Sequence, residues 1–147
     1  MTESEDDRTS FDLQRFVTAQ SGIYERACRE IAAGKKRSHW MWFVFPQMRG
    51  LGHSAMAERF GIVSLAEARA YVDDPVLGPR LRHAAGLLLG IEGRTAHDIM
   101  GFPDDLKLRS SMTLFARAAL DNGPFVAVLG RFFGGEEDVA TLQLIGV

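Results

Sequence analysis

Ser38 to Gln47 reads Ser-His-Trp-Met-Trp-Phe-Val-Phe-Pro-Gln. It holds both tryptophans, two of the ten phenylalanines and one of the four histidines of a 147-residue chain. As a strand, it would place His39, Met41, Phe43 and Phe45 on one side and Trp40, Trp42 and Val44 on the other. As a short helix, Trp40, Phe43 and Val44 would share a face, flanked by Met41 and Phe45 and ended by Pro46. Both arrangements are apolar on both sides, so the segment belongs at the centre of a core. Whatever the fold, it must be built around this stretch.

The surroundings favour the helical form. Phe11, Leu13, Phe16 and Val17 recur at helical spacing, as do Ile23, Ala27 and Ile31, until Gly34 terminates the pattern. Ser54 to Phe60 reads as a short helix stopped by Gly61. Ser64-Leu65-Ala66-Glu67 matches a capping box, and Asp73-Asp74-Pro75 closes the helix that follows it. Val76 to Leu89, Thr95 to Met100, Pro103 to Leu120 and Pro124 to Phe132 complete the series, punctuated by glycine, asparagine and proline. Asp138 to Ile145 fits either a last helix or a strand. The predicted fold class is all-α, a single compact domain of about eight short helices spanning residues 11–147. Residues 1–10, with Glu3, Glu5, Asp6 and Asp7, are read as a disordered acidic tail.

Composition narrows the functional classes. The net charge is -2 and the pI about 6.1, so the surface as a whole is not built for nucleic acid. The basic residues nevertheless crowd around the aromatic segment: Arg26, Arg29, Lys35, Lys36, Arg37 and Arg49. Cys28 is the sole cysteine, which excludes an intrachain disulfide and suits a reducing cytoplasm. No apolar run approaches the roughly 20 residues of a membrane span, and a cytoplasmic location is expected. The four histidines show no metal-ligand spacing, so neither a metal nor a cofactor is implied.

Two clusters carry chemistry. In the aromatic segment, His39 is the ionisable member, read as a general base or as a donor to an anionic ligand. The competing reading is an imidazole held structurally by a backbone carbonyl. A tryptophan at the polar boundary, Trp42, would supply a stacking face, and Gln47 an amide that reads a polar ligand. The second cluster is Lys107-Leu108-Arg109-Ser110-Ser111-Met112-Thr113-Leu114-Phe115, in which Lys107, Ser110 and Ser111 share a helical face. A lysine with two hydroxyls suits a phosphate or carboxylate. Alternatively the hydroxyls bond back to carbonyls one turn earlier, while the lysine reaches water along its stem. Gly50-Leu51-Gly52-His53-Ser54-Ala55 has the form of a dinucleotide-binding fingerprint, but Pro46 interrupts the preceding run and no βαβ unit follows.

These same stretches, with Asp74-Pro75-Val76-Leu77-Gly78, resemble the DUF1810 family of unknown function. The likeness runs from about Asp12 to Gly146 and implies a small, mainly α-helical bacterial protein with no established activity. Some members carry a calpastatin label, but an inhibitor of that kind is an extended, disordered chain, and nothing in this sequence supports it. Two functional classes follow from the residues. In the first, His39, Trp42, Gln47, Lys107, Ser110 and Ser111 converge on a pocket for a small anionic ligand, phosphorylated or nucleotide-like. In the second, the chain is a helical protein-interaction module. The first requires His39 and the Lys107 to Ser111 turn to open on one cleft.

Overall fold

The computed structural model describes residues 10–147. The predicted acidic tail lies outside them except for Ser10, which is helical together with Phe11. The described residues form ten α-helices and no strand: α1 (Gln14–Gln20), α2 (Tyr24–Ala32), α3 (Met41–Val44), α4 (Ala55–Phe60), α5 (Leu65–Asp73), α6 (Leu77–Leu89), α7 (Ala96–Met100), α8 (Asp104–Ala118), α9 (Gly123–Phe133) and α10 (Val139–Ile145). All-α holds. The expected count of about eight is corrected to ten, because the aromatic segment forms its own single turn and the ambiguous last segment is a helix.

Local chemistry explains most of the boundaries. Ser54, Ser64 and Asp138 each accept a backbone N–H at the start of α4, α5 and α10. Thr95 and Asp98 form a reciprocal capping box on α7. The box expected at Ser64 is only half made: Ser64 Oγ accepts from the Glu67 amide, but the Glu67 carboxylate turns to the Val63 amide and to Arg15. Helix α3 lasts one turn, with Phe45 N–H donating to the Met41 carbonyl at 3.1 Å before Pro46 removes the next donor. A lone parallel bridge between Met48 and Ile62 ties the exit of α3 to the end of α4.

The core is organised around α8, which packs against α5, α7, α9 and α10. Leu108, Met112, Leu114 and Phe115 of this helix are fully buried. A continuous chain of ring contacts runs Phe43–Phe60–Phe16–Tyr71–Phe115–Phe125, with centroid separations of 5.0 to 5.9 Å. It stitches α3, α4, α1, α5, α8 and α9 together, each pair contributing about 0.5–1.5 kcal/mol beyond its buried area. Phe43 thus roots the aromatic segment in the core, as its sequence requires, and leaves the neighbouring ring, Trp42, at the surface. No helix among the described residues is long and apolar enough to cross a membrane.

Candidate functional site

The two tryptophans have separate fates. Trp40 is fully buried, and its indole N–H donates to Glu30 Oε1 at 2.8 Å. The same carboxylate accepts from the Arg37 and Ser38 amides and from the Ser38 hydroxyl at 2.6 Å. Burial alone would push the Glu30 acid up, but these hydrogen bonds, led by the Ser38 hydroxyl, pull it down from its ordinary 4.5 to about 2. A carboxyl whose folded pKa is depressed stabilises the fold above its unfolded value and loses that contribution as pH falls through the folded value. Stability should therefore decline as pH drops from about 4.5 towards 2. Urea unfolding across that range should show a shallower decline in Glu30→Gln than in the wild type.

This clamp fixes the loop from which α3 emerges, and α3 carries Trp42 to a half-buried position. The Lys107 ammonium, projecting from α8, lies over the Trp42 ring at 5.3 Å from its centroid. Lys107 Nζ is also 3.6 Å from Asp104 Oδ1, and the other oxygen of Asp104 holds Lys36 Nζ at 2.8 Å. Lys36 in turn lies over the Trp40 ring at 5.0 Å. One carboxylate thus serves two ammonium groups, which leaves the cluster with a net positive charge.

Two clefts meet at this cluster. The first is narrow and apolar, about 250 Å³ including its open mouth, with Met41, Trp42, Phe45 and Phe60 as walls and Gln47 and Lys107 at its edge. The second is a polar groove of about 760 Å³, likewise counted to its mouth, between α8, the start of α10 and the Leu51–Gly52 loop. Gln47 and Lys107 line it too, joined by Arg109, Ser110 and Asp138. The Gln47 side chain is half-buried and makes no hydrogen bond among the described residues. Gly52 sits beside it: an added Cβ would lie 3.0 Å from Ala57 Cβ and 3.8 Å from Gln47 Nε2.

The structure brings together four of the six residues singled out in the sequence and separates two. Trp42, Gln47, Lys107 and Ser110 line the joined clefts. His39 is exposed, lines neither cleft and has no hydrogen-bond partner among the described residues. Ser111 is completely buried, and its hydroxyl has no partner there, so it faces the core and not the groove. The difference is one of reach. Lysine snorkels along its stem to the surface, whereas a serine on the same helical face stays where its Cβ points.

Ser110 opens on the groove but is tethered. Its hydroxyl lies 3.2 Å from the Leu106 carbonyl, the back-bond expected one turn earlier, and 3.1 Å from Asp138 Oδ2. Asp138 caps α10, accepting from the Thr141 amide at 3.0 Å and the Thr141 hydroxyl at 2.6 Å. Sequence reasoning missed Arg109, whose Nη2 lies 3.7 Å from Asp138 Oδ1 and whose Nε is buried without a hydrogen-bond partner among the described residues. It also missed Asp104 as the bridge between the two lysines. Arg109 stood in the quoted motif two residues from Lys107, and a basic residue at that spacing was the available signal.

The chain matches the family described as "Protein of unknown function (DUF1810)" over residues 10–145. Among solved structures it is similar to the conserved hypothetical protein Rv1873 from Mycobacterium tuberculosis, at 55% sequence identity and a TM-score of 0.92. That likeness covers 94% of this chain and 99% of the other. The search of curated proteins gave no match. The match to the family spans all but the ends of the chain and agrees with the aromatic and Lys107 to Phe115 motifs: the protein belongs to the DUF1810 family.

Proposed function

We propose that the protein binds a small anionic metabolite, phosphorylated or nucleotide-like, in the joined clefts between α3, α8 and α10. One observation carries this reading: Gln47 and Lys107 line both clefts, and the Gln47 amide makes no hydrogen bond among the described residues. A half-buried amide left unbonded is a group that a ligand can satisfy. Trp42 offers a ring face for stacking beside a narrow apolar cleft, and Lys107 with Arg109 faces the anionic group. A ligand ring that settles on Trp42 displaces the Lys107 ammonium from that face and frees it for the anion. His39 and Ser111 have no part in the site.

A thermal-shift screen with nucleotides and sugar phosphates tests this. Lys107→Met keeps the stem and removes the charge. It should leave the Tm of the free protein nearly unchanged while weakening the ligand about tenfold or more, since a hydrogen bond to a charged group is worth about 1.5–3 kcal/mol. His39→Ala should bind as the wild type does. A ligand-induced shift that survives in Lys107→Met, or one that vanishes in His39→Ala, contradicts the assignment.

A second reading, the helical interaction module, has one observation of its own. Phe102 is 73% exposed and Leu106 is 47% exposed, and Leu106 lines the polar groove. A ring and an aliphatic side chain presented this openly, one of them on the groove, favour a protein partner.

A further inference from the structure

A third cleft lies elsewhere on the molecule, at the turn between α1 and α2, about 890 Å³ including its open mouth. Its lining contains one cation, Arg80, and one anion, Glu25. The two form no ion pair with each other or with any other described residue.

Arg80 is not a loose surface side chain. Its Nη1 donates to Gln20 Oε1 at 3.1 Å, and its guanidinium lies over the Tyr24 ring at 5.4 Å. The Tyr24 hydroxyl donates to the Arg80 carbonyl at 2.7 Å, fixing the backbone beneath it. Gln20 is itself braced. It is 2% exposed, and its amide donates to the Phe43 carbonyl at 2.7 Å and to the Tyr71 hydroxyl at 3.1 Å. The guanidinium is therefore held from behind by a buried amide whose donors are both spent. Its Nε and Nη2 groups make no hydrogen bond or ion pair among the described residues, and the side chain lines the cleft. Glu25 stands on the same cleft, exposed, on the first turn of α2.

Opposite charges that share a cleft usually close on one another. Here the cation is held by two contacts of its guanidinium and one of its backbone, and the anion forms no ion pair with it. We infer that this cleft binds a small zwitterion, a free α-amino acid, whose carboxylate meets Arg80 and whose ammonium meets Glu25. The guanidinium fork matches a carboxylate in two parallel hydrogen bonds, and Glu25 is an acceptor for the ammonium. Val17, on the same lining, gives an aliphatic side chain a surface to rest on.

The test is an NMR titration of the full chain with L-leucine and with its two half-ligands, isocaproate and isoamylammonium, at matched ionic strength. Leucine should give saturable amide shifts at Ser21, Gly22 and Glu25, with an affinity about fivefold above that of isocaproate, the worth of one partly exposed ion pair. Glu25→Gln, a change at an exposed position, should bring leucine down to the level of isocaproate and leave isocaproate unchanged. Arg80→Gln keeps a donor for Gln20 and should abolish both. Leucine binding no better than isocaproate overturns the inference, as do an unchanged ratio in Glu25→Gln and the absence of any saturable shift in the folded wild type.

Discussion

Arg15→Ala lowers the free energy of unfolding by about 3–5 kcal/mol, the cost of stranding one partner of a buried ion pair. The Arg15 side chain is 12% exposed and that of Glu67 only 1%, with Nη2 and Oε2 3.0 Å apart. The guanidinium does more than pair. It donates to the carbonyls of Phe11, Asp12, Arg59 and Gly61 at 2.7 to 3.1 Å, joining the start of α1 to the end of α4. Alanine leaves a buried carboxylate with only the Val63 amide and several carbonyls with nothing. Urea denaturation should therefore show a large fall in midpoint for Arg15→Ala, partly recovered in Arg15→Ala/Glu67→Gln, because the second change removes the stranded charge. Equal losses in the single and double variants would show that the carbonyl contacts, and not the charge pair, dominate.

Gly78→Ala destabilises by about 3 kcal/mol or more, whereas Gly86→Ala in the same helix stabilises by about 0.5–1 kcal/mol. Both glycines lie within α6, where alanine is normally the better helix former. The difference is what a Cβ would meet. At Gly78 it would stand 2.1 Å from the Val72 carbonyl oxygen, a backbone atom that cannot swing aside. At Gly86 nothing lies within 4 Å. The close approach follows from the tight connection between α5 and α6. There Asp74 Oδ2 accepts from the Val76 and Leu77 amides at 3.0 Å, and the Gly78 amide donates to the Asp74 carbonyl. Calorimetry of the two variants should move Tm in opposite directions. Two shifts of the same sign would refute the steric explanation.

Much of this architecture is legible in the sequence, because helix ends are written in short-range chemistry. Gly34, Gly61 and Gly134, and the caps at Ser54, Ser64, Thr95 and Asp138, act within a few residues of themselves. The aromatic segment was legible as core for the same reason: with no polar face, Trp40, Met41, Phe43, Val44 and Phe45 had nowhere else to go. Its single turn was not legible as helix or strand, since four residues are too few to display a period.

The candidate site was only half legible. Trp42, Gln47 and Lys107 were found from residue type, but their meeting depends on how α3 crosses α8, which no local pattern encodes. His39 looked functional because it is the one titratable group in an apolar run. The Glu30 clamp that fixes the preceding loop, ten residues from Trp40 in the chain, could not be read from spacing. Ser111 looked functional because it shares a helical face with Lys107, but its own side chain is fully buried while Lys107 reaches the clefts along its stem.

The site at Trp42, Gln47 and Lys107 is tested most directly by tryptophan fluorescence, because the chain carries only two indoles and they stand in different surroundings. Trp40 is sealed in the core against Glu30, and Trp42 lies half-exposed beneath Lys107. Titration with a nucleoside monophosphate should change the emission saturably in the wild type. In Trp42→Phe, where Trp40 alone emits, the change should vanish, and in Lys107→Met the midpoint should move about tenfold to weaker binding. A saturable change that persists in Trp42→Phe and keeps its midpoint in Lys107→Met would contradict the assignment of the ligand to these clefts.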